Sequence, residues 1–304
     1  MGRRPGQVAT GRARWKTPGG NNTVRIVVTG ASGRVGRYLL RELGAEHDVR
    51  AFDLRPPPDP NVTFVGGDIT NLEDCKRAVE GAEVVIHLAA IPNPLSDPPE
   101  RVMRVNAMGT FDMLEAAASA GVRRVVTAST DSALGFVFRK RDFLPAYLPI
   151  DESHPLQPQD PYGLSKLIGE EICKSYTRAH GLETVCVRIC RVLFPEDADL
   201  NAQLASDPTI LAKGLWVYVD VRDAARAFRL AAERPGLGHE AHFAVAPDAC
   251  AREETATLLE RFYPALLPWA DRLPGHSSLI TGARAKEMLD FVPRFTWRDL
   301  VAEQ

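Results

Sequence analysis

Val24-Arg25-Ile26-Val27-Val28-Thr29-Gly30-Ala31-Ser32-Gly33-Arg34-Val35-Gly36-Arg37-Tyr38-Leu39-Leu40-Arg41-Glu42-Leu43-Gly44 reads as a strand, a glycine turn and an amphipathic helix in immediate succession. Val24 to Thr29 is apolar or β-branched except at Arg25, the pattern of a strand covered on both faces. Tyr38, Leu39, Leu40 and Leu43 then recur at helical spacing, and Gly44 closes the helix. Each glycine between them answers a separate need. Gly30 permits the tight turn, Gly33 lets backbone approach a pyrophosphate, and Gly36 lets helix and strand pack closely. With Ser32, Arg34 and Val35 they form a loop at a helix N-terminus, where free N–H groups and the helix dipole favour negative charge. A glycine pattern alone also makes a bare turn. Here a strand precedes it, a helix follows it, and Asp53 ends the next strand, which is the setting of a dinucleotide site. A carboxylate at Asp53 accepts the ribose hydroxyls and repels a 2′-phosphate, so NAD is expected over NADP. Arg34 and Arg55 are the nearby cations that could pair with a phosphate.

The same rhythm continues outward. A short strand over Val62–Val65 leads to Gly67-Asp68, and Leu72–Val79 has helical spacing. Asp68 and Ile69 stand where an acid and a backbone group reach an adenine, although Asp68 could equally cap the following helix. Val84–Leu88, Val125–Ala128 and Thr184–Ile189 read as strands, with long helices over Val102–Ala120 and Tyr162–His180 between them. Apolar strands alternating with helices predict an α/β fold with a doubly wound parallel sheet, the Rossmann arrangement. After Arg188 the rhythm changes, with a strand expected at Trp216–Val219 and a helix from Asp220 or Asp223. The expected organisation is a disordered basic extension over 1–22, a dinucleotide-binding domain over 23–190 and 216–238, and a small C-terminal substrate-binding lobe over 191–215 and 239–304.

Apolar residues at 45% and charged residues at 25% are ordinary for a globular protein, and a net charge of −2 gives no sign of a nucleic-acid partner. No run is long enough to span a membrane. Arg3, Arg4, Arg12, Arg14 and Lys16 make the first 22 residues basic, but no apolar segment of a signal peptide follows them. Cys75, Cys173, Cys186, Cys190 and Cys250 show no CxxC or metal spacing, which suits a reducing cytoplasm. His239 and His242 form an HxxH without further ligands at metal spacing, so no metal is expected.

Tyr162 and Lys166 stand four residues apart, on one face of the predicted helix. An ammonium beside a phenol favours the phenolate, and a phenolate so tuned takes a hydroxyl proton while hydride leaves the same carbon. Such a pair is common by chance, and its meaning depends on the other parts. Thr29 to Gly36, Asp68, His87-Leu88-Ala89-Ala90, Asn106, Ser129-Thr130 and Tyr162 to Lys166 together resemble, in type and order, the extended short-chain dehydrogenases, the NAD-dependent epimerase/dehydratase group. The likeness covers about residues 24 to 190. It implies that Thr130 holds the substrate hydroxyl, with Ser129 its neighbouring candidate, and that Asn106 supports the site from the long helix. It also implies that Lys166 holds the nicotinamide ribose, that Leu88, Ala89 and Ala90 line the cofactor channel, and that members pair as homodimers through the two long helices. His87 reads as a core histidine.

Within the group, Ser129-Thr130-Asp131-Ser132 resembles the Thr-Asp-Glu of sugar-nucleotide dehydratases, but Ser132 replaces the Glu and lacks its basicity. Ser129 to Phe136, Pro161 to Lys166 and Val187-Arg188-Ile189 are similar to uronate dehydrogenases. The Asn-x-Tyr-Gly-Pro of nucleotide-sugar epimerases is replaced by Arg191-Val192-Leu193-Phe194-Pro195, and the segment that grips the nucleotide is short. Pro92, Asp131, Ser132, Arg188 and Arg191 are the expected substrate contacts, and Arg139, Lys140 and Arg141 form a basic cluster in the following loop. The implied activity is hydride transfer between NAD and a hydroxyl-bearing carbon of a sugar, sugar acid or small polyol. The alternatives are a UDP-glucose type 4-epimerase with retained NAD, or an NAD-binding protein without catalysis.

Overall fold

The computed structural model describes residues 23–44 and 46–301, so the basic segment over 1–22 lies outside the described residues. Its strands are β1 Arg25–Thr29, β2 Asp48–Asp53, β3 Thr63–Gly66, β4 Val84–His87, β5 Arg124–Thr130, β6 Glu183–Ile189, β7 Arg191–Leu193, β8 Tyr218–Asp220 and β9 His239–Ala244. The helices are α1 Arg34–Leu43, α2 Leu72–Val79, α3 Pro99–Met103, α4 Gly109–Ser119, α5 Pro161–His180, α6 Ala198–Ser206, α7 Pro208–Leu211, α8 Val221–Glu233, α9 Thr255–Phe262 and α10 Ala283–Leu289. Seven strands form one parallel sheet in the order β3-β2-β1-β4-β5-β6-β9, while β7 and β8 pair separately. This is the doubly wound Rossmann sheet that the alternation predicts.

The layers follow from the side-chain pattern. Leu39, Leu40 and Leu43 of α1 share one apolar cluster with Ala225, Phe228 and Ala232 of α8, over one face of the sheet. Cys75 and Val79 of α2, Met113 and Leu114 of α4, and Cys173 and Tyr176 of α5 cover the other. A third cluster around Trp216, Tyr218, Leu258, Leu279 and Trp297 forms the core beside the carboxyl end of the sheet.

Four expectations need correction. His239–Ala244, read as part of the C-terminal lobe, is the seventh strand, in parallel register with β6 from Thr184↔His239 to Ile189↔Ala244. Its polar residues conceal it, because His239 hydrogen-bonds Thr184 (2.8 Å) and Glu240 pairs with Arg284 (2.8 Å) instead of packing in an apolar layer. Ala285, Leu289 and Phe291 likewise belong to the cluster of the main sheet and not to the lobe. The expected helix Val102–Ala120 begins earlier, at Pro99, and widens into a π turn over Arg104–Met108. The strand expected at Trp216–Val219 is Tyr218–Asp220, and Asp220 caps α8 by accepting from the Arg222 N–H (2.8 Å).

One buried acid is among the groups that tie back the chain after α10. Asp223 accepts from the backbone N–H groups of Arg294 (2.7 Å) and Phe295 (2.9 Å) and pairs with Arg226 (2.9 Å). Replacing Asp223 by Ala leaves Arg226 buried without its partner and two backbone donors unanswered. Such losses cost about 3–5 kcal/mol. Urea unfolding of Asp223→Ala is expected to show a midpoint lowered accordingly, with cleavage after Arg294 accelerated in limited proteolysis.

Candidate active site

The glycine loop is shaped by close backbone approach. Gly30 has φ +67°, and a Cβ there would stand 2.6 Å from the Ala89 nitrogen, so the turn admits no larger residue. At Gly36 an added Cβ would collide with the Gly30 and Ala31 carbonyl oxygens. α1 begins at Gly33 with no side chain capping it, leaving first-turn N–H groups for an anion. Asp53 faces this loop from the end of β2. Its Oδ2 accepts from the Ser32 N–H (3.0 Å) and its Oδ1 from the Leu54 N–H (2.7 Å), while the Ser32 hydroxyl donates to the Arg55 carbonyl (2.6 Å). These residues fit a dinucleotide: a turn with no room for a side chain at Gly30 or Gly36, an uncapped helix N-terminus, and an acid facing the loop from the end of β2.

The floor of the cleft is a hydrogen-bonded column. Thr110 donates to the Asn106 carbonyl (2.6 Å), so it accepts from His87 Nε2 (3.3 Å). His87 Nδ1 then accepts from the Thr29 hydroxyl (2.8 Å), which itself accepts from the Ala89 N–H (3.1 Å). Burial pushes the His87 pKa down to about 3, and the Lys166 charge adds to this, so the ring is a neutral spacer, as its reading as a core residue expects. Asn106 sits in the π turn, a distortion common at functional sites. It accepts from the Ile91 N–H (2.8 Å) and donates to the Ile91 carbonyl (3.0 Å) and to Ser165 Oγ (3.0 Å). The loop after β4, with part-buried Leu88, Ala89 and Ala90, is thereby fastened to α5. Ile69 is buried against Gly109, where a Cβ would meet its Cδ1 at 2.6 Å. Asn71 caps α2, and Asp68 instead accepts from the Thr70 N–H and hydroxyl (2.9 Å each).

Asp160 opens α5 by accepting from the N–H groups of Tyr162 and Gly163 (2.9 Å each), which fixes Tyr162 in the first turn. Gly163 is held small by the Ser132 carbonyl, 2.6 Å from where a Cβ would lie. Tyr162, Thr130 and Lys166 come together at the end of β5. Lys166 donates to the Ala128 carbonyl (2.8 Å) and stands 5.9 Å from the centre of the Tyr162 ring. Burial pushes the Tyr162 phenol above its ordinary value, outweighing the hydrogen bond from Thr130 that pulls it down. The lowered phenol expected beside an ammonium is therefore not present: Lys166 is turned to a carbonyl, and burial pushes its own pKa down to about 8.

Other candidates are engaged within the protein. The Ser129 hydroxyl donates to Glu170 (2.6 Å), and Arg188 meets the same carboxylate twice, at 2.9 and 2.8 Å, both side chains being buried. Burial raises Glu170, but the two Arg188 bonds and Ser129 outweigh it and hold the carboxyl below its ordinary value. Arg188 is thus not the free anion-binding group that sequence proposes. Arg139 pairs with Asp142 (2.7 Å) and donates to the Phe136 carbonyl (3.0 Å). Arg34 pairs with Asp197 (2.7 Å). Arg191 is exposed on β7 and Pro92 is exposed in the loop after β4, while Ser132 is buried and donates its N–H to Thr130 Oγ1 (3.1 Å). Sequence reasoning misses Asp160, Ser165 and Glu170. Asp160-Pro161 is the N-cap signal that could have placed the first, and Glu170, four residues beyond Lys166 on the same helix face, could have been found by spacing.

Thr130 donates to Asp131 (3.1 Å), and burial pushes the Asp131 carboxyl up to about 7 against that bond. A carboxyl raised in the folded state stabilises the fold while protonated. That contribution is complete below the unfolded value of about 4 and is lost as pH rises toward 7. Asp131→Asn is expected to gain unfolding free energy relative to the parent between about pH 4 and pH 7, levelling above it. Parallel pH series of urea titrations check this, and superimposable curves would refute it.

The arrangement is that of a Rossmann-type oxidoreductase: dinucleotide cradle at the crevice between β1 and β4, Thr–Tyr–Lys beside it. A family model described as the NAD dependent epimerase/dehydratase family matches residues 26–246, and the chain belongs to that family. It is 31% identical over 198 residues to L-arabinose 1-dehydrogenase (NAD(P)(+)) of Haloferax volcanii, covering 64% of this chain and 77% of the relative. With the uronate dehydrogenase of Pseudomonas syringae pv. tomato it shares 29% identity over 225 residues, 73% of this chain and 74% of that one. Among solved structures, a short-chain dehydrogenase/reductase superfamily protein from Agrobacterium tumefaciens with bound NAD superposes with a TM-score of 0.70. The two are 26% identical, and the match covers 91% of this chain and 94% of that one.

Proposed function

We propose that this chain is an NAD-dependent dehydrogenase that transfers hydride between NAD and a hydroxyl-bearing carbon of a sugar, sugar acid or small polyol. The observation that carries this reading is the meeting of Thr130, Tyr162 and Lys166 at the carboxyl end of β5, beside a cradle only glycines can line. The bound dinucleotide supplies the hydride acceptor. Gly30, Gly33 and the first turn of α1, with Ser32 and Val35, would hold its phosphates, Asp53 its adenosine ribose, and Asp68 and Ile69 its adenine. Thr130 orients the substrate hydroxyl, and Tyr162 takes the proton from it as general base, or returns it in the reverse direction. Lys166, whose ammonium burial makes easier to deprotonate, holds the nicotinamide ribose. Asn106 keeps the loop after β4 in register with Tyr162 through Ser165.

Within that substrate class, neutral sugars and polyols suit the site best. Arg188, Arg139 and Arg34 are all engaged with acids of the chain, and a buried carboxyl, Asp131, adjoins Thr130. Similarity to L-arabinose 1-dehydrogenase supports the same choice. Similarity to the Putative UDP-glucose 4-epimerase of Methanocaldococcus jannaschii, 34% over 181 residues, keeps 4-epimerisation with retained NAD as the second reading. The five cysteines are all buried and unpaired, which fits a reducing cytoplasm, and no described helix is long and apolar enough to cross a membrane. Met108, Phe111 and Leu164 expose apolar surface on the α4–α5 side, where a homodimer would pair.

With a panel of free aldoses, uronates and polyols, steady NADH formation is expected from a neutral member. Interconversion of UDP-glucose and UDP-galactose without net NADH would instead establish the epimerase. Tyr162→Phe is expected to lower kcat/KM by about 10²–10⁴ while calorimetric NAD binding is largely kept. Full activity in that variant would refute the assignment.

A further inference from the structure

Phe138 is an aromatic side chain that stands outside every core. It is half-buried and belongs to none of the three apolar clusters, although Phe136 and Phe143 on either side of it join the cluster around Trp216. Among the described residues, the aromatic ring it meets is that of Tyr162, at 6.3 Å between centres and 88° between planes. Edge-to-face packing orients the two rings, because the positive edge of one meets the negative face of the other.

The loop that carries Phe138 is held on both sides. It starts at Gly135, whose φ is +96° and where a Cβ would collide with the Gln157 carbonyl oxygen. Arg139 donates to the carbonyls of Phe136 (3.0 Å) and Lys213 (3.3 Å) and to the Tyr263 hydroxyl (3.3 Å). Gln159 Oε1 accepts from the N–H groups of Lys140 (3.0 Å) and Arg141 (2.8 Å), and its Nε2 donates to the Arg141 carbonyl (3.1 Å). The next residue, Asp160, accepts from the Tyr162 N–H (2.9 Å). One side-chain amide thus clasps the stretch that follows Phe138 to the stretch that leads into Tyr162. The basic cluster of the sequence serves this clasp through the Arg139 side chain and the backbone of Lys140 and Arg141.

We propose that Phe138 is a positioning residue for the proton transfer: its ring holds that of Tyr162 in place and keeps water from it, so that the substrate hydroxyl is the group that reaches the phenol oxygen. The inference rests on Tyr162 being the general base. In that step the substrate hydroxyl gives its proton to the Tyr162 oxygen while hydride leaves the same carbon for NAD. Phe138 takes no part in the exchange, and its ring brings neither an N–H nor an O–H that would compete for that oxygen. Tyr162 is buried, and burial raises its phenol; Phe138 supplies part of that cover.

The test has one readout that needs no turnover and one that does. In the full chain labelled with 3-fluorotyrosine, the Tyr162 fluorine resonance is identified by its loss in Tyr162→Phe, and its shift between H2O and D2O reports contact with water. No solvent shift is expected in the parent, a clear one in Phe138→Ala, and little in Phe138→Leu, which keeps an apolar cover. With the panel substrate that the parent turns over, Phe138→Ala is expected to lower kcat about ten- to a hundredfold, with KM changed less. The pH at which kcat is half-maximal is expected to move down by about one unit, because water removes part of the burial that raises the phenol. Phe138→Leu is expected to recover most of both effects, and calorimetric NAD binding to be kept in each variant. A loop that had only loosened would raise KM and leave the pH midpoint in place, and that outcome overturns the proposal. If Phe138→Ala does not fold, Gln159→Ala, which frees the loop with Phe138 still present, carries the same comparison. A cooperatively melting Phe138→Ala with the parent's solvent shift and pH midpoint also overturns it. A clear solvent shift in Phe138→Ala beside a parent that turns over no panel substrate leaves the ring contact standing, and overturns the general-base reading and the positioning role with it.

Discussion

Gly30 and Ala89 meet where β1 passes between its two neighbours, β2 and β4, and a side chain at Gly30 would stand 2.6 Å from the Ala89 nitrogen. The crevice at this point belongs to the topology, because the connections after β1 and β4 leave toward opposite sides. Its width, however, is set by these backbone atoms. With the glycine loop pressed against β4, Ala89 donates to Thr29, His87 bridges Thr29 to Thr110, and Thr110 bonds the π turn that carries Asn106. Asn106 in turn reaches Ser165, which bonds the Tyr162 carbonyl (2.7 Å). The glycine loop and Tyr162 are thus registered to each other through one buried polar column, and neutrality of His87 is a condition of its stability.

Burial governs the chemistry of the groups that this column positions. Tyr162 and Asp131 are buried and Lys166 is half-buried, and desolvation shifts each toward its neutral form: the phenol raised, the ammonium lowered to about 8, the carboxyl raised to about 7. Thr130 can oppose only one of these effects at a time, because its single hydroxyl proton goes either to the Asp131 carboxyl, as here, or to the phenol. The phenolate that the proposed proton abstraction needs is costly in the isolated chain. Positive charge arriving at the site with a dinucleotide would lower that cost, and the proposed proton transfer would then be conditional on occupancy.

Much of this was legible from residues alone. The strand–glycine loop–helix at Val24–Gly44, the acid at Asp53 and the Tyr162–Lys166 spacing follow from local rules of turn geometry and helix periodicity; in the structure Asp53 accepts from the Ser32 N–H, and Lys166 lies 5.9 Å from the centre of the Tyr162 ring. Strand β9 was not legible, since His239, Glu240 and His242 break the apolar pattern, their partners lying far off in sequence on β6 and α10. The π turn leaves no compositional mark. Nor could sequence show that Arg188 is neutralised. Its partner Glu170 lies on a helix 18 residues earlier, and only tertiary packing brings the two to 2.8 Å. The direction of the Tyr162 shift failed for a related reason: proximity of an ammonium is visible in the spacing, whereas depth of burial is not.

The Glu170–Arg188 pair shows how such hidden partners change what a charged residue is free to bind. A buried ion pair is weak as a source of stability, because desolvation offsets much of its attraction. Its geometry here is nonetheless strict, with two parallel bonds to the guanidinium and a third from Ser129 on the strand that presents Thr130. Glu170 lies two turns beyond Tyr162 on α5, so the pair joins β5, β6 and α5 at one point. A substrate carboxylate would have to compete with Glu170 for Arg188, and breaking that pair would leave a buried acid without its cation. The polar interior around Ser129 and Thr130 therefore also occupies a guanidinium that would otherwise be free to bind an anion, in keeping with the proposed recognition through hydroxyl groups.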